Sequence, residues 1–133
     1  MSQGNTAVTD PEIHAVACPV REVIDRVGGK WSVQIILAVM RGPVRFTALE
    51  RRIDGISRRM LTLTLRNLER DGLVVRTVYP TVPPRVDYRA TDLARELHDP
   101  LEGLAEWARR NRGSIAAARA AYDAGSGSSA IAS

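Results

Sequence analysis

The chain has 133 residues, a single cysteine and a formal net charge of +4. That length supports one domain with a modest core. One thiol excludes an internal disulfide framework, and no apolar run approaches the ~18 residues that a membrane span needs. The positive charge is concentrated. From Arg41 to Arg89 there are eleven arginines against five acids, while the flanks together are net acidic. Base composition alone would enrich arginine along the whole chain. The clustering instead indicates a surface for a polyanion.

In chain order, residues 1–15 are polar and small and are expected to form a flexible arm. They lack a basic region followed by an apolar run, so no signal peptide is expected and a cytoplasmic location is. The folded domain is expected over residues 16–124. Cys18-Pro19 is expected to open the first helix, because proline suits a first turn. Val20, Val23, Ile24 and Val27 make an apolar stripe, and Gly28-Gly29 stops it. Trp31 to Met40 is apolar on most sides and predicts a buried central helix. Val44-Arg45 predicts a short strand. Thr47 and Glu50 have the spacing of a capping box, which would open a short helix to Ile53 with Phe46 and Leu49 facing inward. Asp54-Gly55 is a turn.

The next helix is the one that matters most. Ser57 can cap its free N–H groups, and Gly72 can end it in a left-handed conformation. Leu61, Leu65 and Leu68 form one apolar stripe. Arg59, Thr62, Leu63, Arg66 and Arg70 occupy the other side. Two short helices across a glycine turn fit a helix-turn-helix. In that motif the second helix lies in the DNA major groove with its first residues near base edges, here Ser57, Arg58 and Arg59. Arginine can bond guanine O6 and N7 together, and threonine can touch a thymine methyl or a phosphate. Val74 to Tyr79, then Val86, Tyr88 and Ala90 alternating with Arg85, Asp87 and Arg89, predict two strands. The loop between them, Pro80 to Pro84, is too stiff for a helix. A hairpin directly after a reading helix is a wing, which puts Thr81, Arg85 and Arg76 within reach of DNA. Thr91-Asp92 then caps a long amphipathic segment carrying Leu93, Leu97, Leu101, Leu104 and Trp107. Pro100 is expected to kink or divide it. Helix continues from Ile115 to Ala124, and residues 125–133 are expected to be a flexible tail. The fold class is α+β, mainly α: a winged helix-turn-helix. Its core is too small to cover the late apolar stripe, so a partner subunit is expected there.

The strings C-P-V, G-G-K-W, R-G-P-V-R-F, G-I-S-R-R-M-L, L-x-x-L-E-R-D-G-L-V and V-Y-P-x-V-P-P-R-V-D-Y, with Trp107, resemble the HxlR-type regulators. These are small bacterial winged-helix transcription factors related to the MarR group. The resemblance runs from about Cys18 to Arg109. It implies a homodimer held by N-terminal and C-terminal helices, bound to double-stranded DNA at an inverted-repeat operator. It implies the helix from Ser57 as reader and Pro80 to Pro84 as wing tip. Leu63 departs from the family, which usually has a polar residue there. Arg89-Ala90 and Ala94 replace the more usual Ser-Leu and Gly.

The resemblance also implies that Cys18, in the C-P-V position, can sense oxidants or electrophiles. A thiolate at a helix N-terminus would be favoured by the helix dipole and by Arg21. The competing reading is an inert cysteine at a dimer interface. A small apolar effector held near Trp31 and Trp107 is a further expectation, against tryptophans that simply fill core. Catalysis is not expected. There are no paired carboxylates, no H-E-x-x-H, no glycine-rich phosphate loop and no zinc spacing, so neither cofactor nor metal is anticipated. A winged helix that binds protein instead of DNA is the remaining alternative.

Overall fold

A computed structural model describes residues 10–132, with side chains through residue 125. The chain falls into two units, one ending at Arg95 and the other beginning at Glu96. Among the described residues no helix is long and apolar enough to cross a membrane.

The first unit begins with α1, Pro11–Val27. This corrects the expected start at Cys18 and the expected flexible arm, of which residues 1–9 lie outside the described residues. Asp10 supplies the reason. Its carboxylate accepts from the Glu12 and Ile13 N–H groups, at 2.9 and 3.5 Å. Pro11 takes the first helical position, where its missing N–H is no loss. Pro19 is therefore inside the helix and Cys18 is far from its N-terminus. The apolar stripe also begins earlier, with Ile13 and Val16 preceding Val20 and Val23, and these four are exposed.

α2, Ser32–Val39, follows the glycine turn. It is not buried all round: Ile35, Ile36 and Val39 are fully buried, but Leu37 is 45 % exposed. β1 is Val44–Arg45, and α3, Phe46–Arg52, follows it without a break. The expected capping box at Thr47 and Glu50 is not used. The cap position belongs to Arg45, the last strand residue, and carries no side-chain cap. Thr47 already lies in the first turn. Leu49 is fully buried and Phe46 half-buried.

α4 is Arg58–Arg70, with Ser57 Oγ accepting from the Met60 N–H at 3.0 Å. At its far end Gly72 adopts φ +77°. The Gly72 N–H donates to the Glu69 carbonyl at 3.0 Å and the Leu73 N–H to the Leu68 carbonyl at 2.9 Å. This paired closure satisfies two carbonyls that the helix leaves open. Leu61, Leu65 and Leu68 are at most 1 % exposed. With Ile35, Ile36, Val39 and Leu49 they are the largest fully buried side chains of the core.

β2, Val74–Tyr79, and β3, Arg85–Ala90, form the hairpin. The sheet order is β1-β3-β2, all antiparallel, with Tyr88 opposite Val44 and Arg76, and Asp87 opposite Arg45 and Thr77. β3 is the central strand. One residue departs from the expected alternation: Asp87, on the polar face, is buried beside Arg85, whereas Arg89 on the same face is exposed. α5, Asp92–Arg95, ends the unit, with the Ala94 N–H donating to Thr91 Oγ1 at 3.2 Å.

The second unit is one helix, α6, His98–Ala132. The amphipathic segment is thus divided before Pro100, which falls in the first turn of α6 where proline is tolerated. The helix runs into the glycine- and serine-rich stretch expected to be a flexible tail. Extending an existing helix avoids the cost of nucleation, so weak helix formers can be carried along. Ser133 lies outside the described residues. Leu104, Trp107, Ile115 and Tyr122 are exposed along α6. Arg109 pairs with Glu102 and Glu106 at 3.7 and 3.1 Å, as on an ordinary solvated face.

Candidate nucleic-acid interface

The site is built on α4. Its leucine stripe points to the core, so the opposite crest is fixed by helical spacing. Arg59, Leu63, Arg66 and Arg70 form that crest, all exposed. Among the described residues none of the three crest arginines is in an ion pair. Leu63 is 49 % exposed at the middle of the crest.

One flank of α4 faces the wing. A groove of about 650 Å³ there is lined by Arg45, Arg58, Arg76 and Arg85, with Thr62 and the wing residues Thr81 to Pro84. Three of these four arginines, Arg58, Arg76 and Arg85, differ from the crest in being held. Arg58 turns back toward α3: its Nη1 donates to Glu50 Oε1 at 3.5 Å, and its guanidinium lies 5.0 Å from the Phe46 ring centroid. Of the two first-turn arginines, Arg59 is the outward one. Arg76 pairs with Glu69 at 3.8 Å. Arg85 lies 4.2 Å over the Tyr79 ring, and its Nε faces Asp87 Oδ1 at 3.4 Å. That contact has ion-pair distance without hydrogen-bond geometry, leaving both buried atoms without a hydrogen-bond partner. Thr62 donates its hydroxyl proton to the Arg58 carbonyl at 2.9 Å, so its methyl and lone pairs are what it offers outward. Thr81 is likewise occupied, donating to the Pro83 carbonyl at 2.8 Å and bracing the loop. Val82, at the tip, is wholly exposed.

Tyr88 also lines this groove. Burial raises its phenol pKa; Arg76 lowers it, Glu69 raises it and Arg66 lowers it. The phenol therefore stays protonated near neutral pH and is available as a donor. Its ring packs 6.5 Å from Phe46. Tyr88, Arg45, Glu50 and Asp87 were not singled out as site residues from sequence. Strand alternation could have marked Tyr88 as inward, but nothing local shows that Glu50 restrains Arg58 or that Asp87 underlies Arg85.

The other flank of α4 faces the turn between α1 and α2. A groove of about 700 Å³ is lined there by Lys30, Trp31 and Arg26 on one side and by Met60, Leu63, Asn67 and Arg70 on the other. Trp31 is half-buried in it, with the Lys30 ammonium 4.8 Å from its ring centroid. This surroundings is more polar than the small apolar effector site expected. Trp107 belongs to the second unit and is 53 % exposed.

Cys18 is exposed midway along α1, and its Sγ lies 3.3 Å from His14 Nδ1. Cys18 does not stand at a helix N-terminus as expected, because the N-terminal end of α1 is at Pro11. The favourable dipole effect fades within the first turn. A histidine one turn upstream takes its place as the polar neighbour of the sulfur.

Comparison with known proteins agrees with this geometry. The HTH-type transcriptional regulator YtfH of Escherichia coli is 39 % identical over 107 residues, which is 80 % of this chain and 85 % of YtfH. The reduced form of the redox regulator HypR superimposes with a TM-score of 0.70 at 39 % identity, covering 74 % of this chain and 98 % of HypR. The reduced form of the transcriptional regulator YodB of Bacillus subtilis gives 0.62 at 29 % identity, covering 76 % of this chain and 92 % of YodB. Residues 26–115 match the HxlR-like helix-turn-helix family. The chain belongs to that family of winged-helix, DNA-binding transcriptional regulators.

Proposed function

We propose that the chain regulates transcription as a homodimer bound to an inverted-repeat operator, with α4 reading base edges and Pro80 to Pro84 as the wing tip. The observation that carries this reading is the crest of α4, where Arg59, Arg66 and Arg70 are exposed and in no ion pair among the described residues. A solvated helix face usually mixes charge signs; the charged groups of this crest are all guanidinium. Ser57, Arg58, Thr62, Leu63, Arg85 and Thr81 complete the DNA-facing set. Arg58 and Arg85 act from restrained positions and suit phosphates, while Arg59 suits a base edge. The exposed apolar residues of α1 and α6 supply area for the second copy. Two symmetric readers would then address half-sites ~34 Å apart.

Arg59→Ala is expected to weaken binding to an operator from the chain's own upstream region by ~1–3 kcal/mol and to relax one base position. Fluorescence anisotropy against a panel of single-base variants measures both. Unchanged affinity with unchanged base preference would refute the assignment, and no binding to any duplex would favour the protein-interaction reading.

Regulation through Cys18 is the second part of the proposal. Its support is the exposed sulfur beside His14 and the similarity to HypR and YodB, proteins with reduced and oxidised or diamide-treated structures. With one cysteine per chain, oxidation would join two subunits or capture a small thiol. If Cys18→Ser protein still released DNA on diamide treatment, sensing at this residue would be excluded. The polar groove at Trp31 favours this thiol reading over a small apolar effector.

A further inference from the structure

We propose that the groove between α4 and the α1–α2 turn carries the sugar–phosphate backbone of one DNA strand, with Lys30 as its phosphate contact. The inference rests on the DNA-binding reading of α4 and adds a surface to it. A helix lying in the major groove has a phosphate backbone on each side. α4 has a groove on each side to match. The wing-side groove has a conventional cationic lining. The second shares its wall with the reading crest through Leu63 and Arg70, so a duplex seated on the crest brings a strand to its mouth.

The charges in this second groove decide what it suits. Asp71 is matched by Arg26 at 3.9 Å. Lys30 and Arg70 have no ion-pair partner among the described residues. The Lys30 ammonium is instead placed over the Trp31 ring, which orients the cation without cancelling its charge. Asn67, one turn before Arg70, adds an amide donor. Asp25 is the opposing charge: it lines the same groove and would repel a phosphate. Lys30 is the chain's one lysine among nineteen basic residues. An ammonium contacts phosphate as a point charge, without the fixed fork by which arginine reads guanine. A contact of this kind contributes to every sequence alike.

The test uses the full-length protein and a mixed-sequence duplex of about 30 base pairs, roughly three turns. Affinity is measured by fluorescence anisotropy over a range of salt concentrations. Lys30→Gln is expected to bind more weakly and to reduce the slope of log K against log salt by ~0.9, the signature of one lost phosphate contact. Asp25→Asn is expected to shift the opposite way, with roughly threefold tighter binding at low salt. Thermal melting checks that each variant is folded, and the two opposite signs keep the test independent of a general loss of stability. A folded Lys30→Gln protein with the parent's slope, or an Asp25→Asn protein that binds no tighter, overturns the groove assignment while DNA binding by α4 stands. A parent protein that binds no duplex overturns both.

Discussion

α1 and α4 are written in the same amphipathic code and meet different fates. Each has aliphatic residues three and four apart and a side-chain cap at its start, Asp10 for α1 and Ser57 for α4. In α4 the stripe is sealed, with Leu61 and Leu65 at 0 and 1 % exposure. In α1, Ile13 and Val16 remain 63 and 67 % exposed. Periodicity tells which face of a helix is apolar. It does not tell whether the same chain covers that face. α4 is held by its own fold, while the apolar stripe of α1 is left largely uncovered by the chain it belongs to.

This contrast can be broken experimentally. The largest effect is expected in α4: Leu65→Ala should cost ~2–5 kcal/mol in chemical denaturation, since the surrounding core collapses only partly around the missing atoms. Val20→Asp should leave that core intact and instead weaken self-association at least tenfold, about 1.4 kcal/mol or more, read by sedimentation equilibrium. A Val20→Asp protein that remains dimeric would remove α1 from the subunit contact. The smallest effect separates the two caps. Ser57→Ala should lower global stability by ~1 kcal/mol, as loss of a cap on a packed helix does. Asp10→Ala should be nearly silent in global unfolding and appear as faster amide exchange in the first turn of α1. Equal losses from the two substitutions would mean that α1 belongs to the cooperative core after all.

Much of α4 was legible because every signal for it is local. Ser57, the leucine spacing and Gly72 lie within one segment, and each acts in the structure as its chemistry predicts. The start of α1 is also written locally, in Asp10-Pro11-Glu12, but Cys18-Pro19 offers a second, false start further along the chain. Thr47 shows a cap-like pattern defeated by position, because β1 enters α3 directly and leaves no free cap residue. Asp87 could not be read at all. It lies on the same face of β3 as the exposed Arg89, and an alternating pattern does not distinguish the two. The crest of the candidate site was evident in the sequence, whereas its restraints were not. That Glu50 and Phe46 hold Arg58, or that Asp87 lies under Arg85, depends on residues brought together by the tertiary fold.

Thr91 gives the fold a further property. Its hydroxyl donates to the Gly72 carbonyl at 2.7 Å, its N–H donates to the Leu73 carbonyl at 3.1 Å, and its oxygen receives the Ala94 N–H. One side chain therefore rivets the outlet of the reading helix, the last rung of the wing and the inlet of α5 into a single joint. The end of α4, the start of the hairpin and the start of α5 are thereby tied to one another through a single hydroxyl.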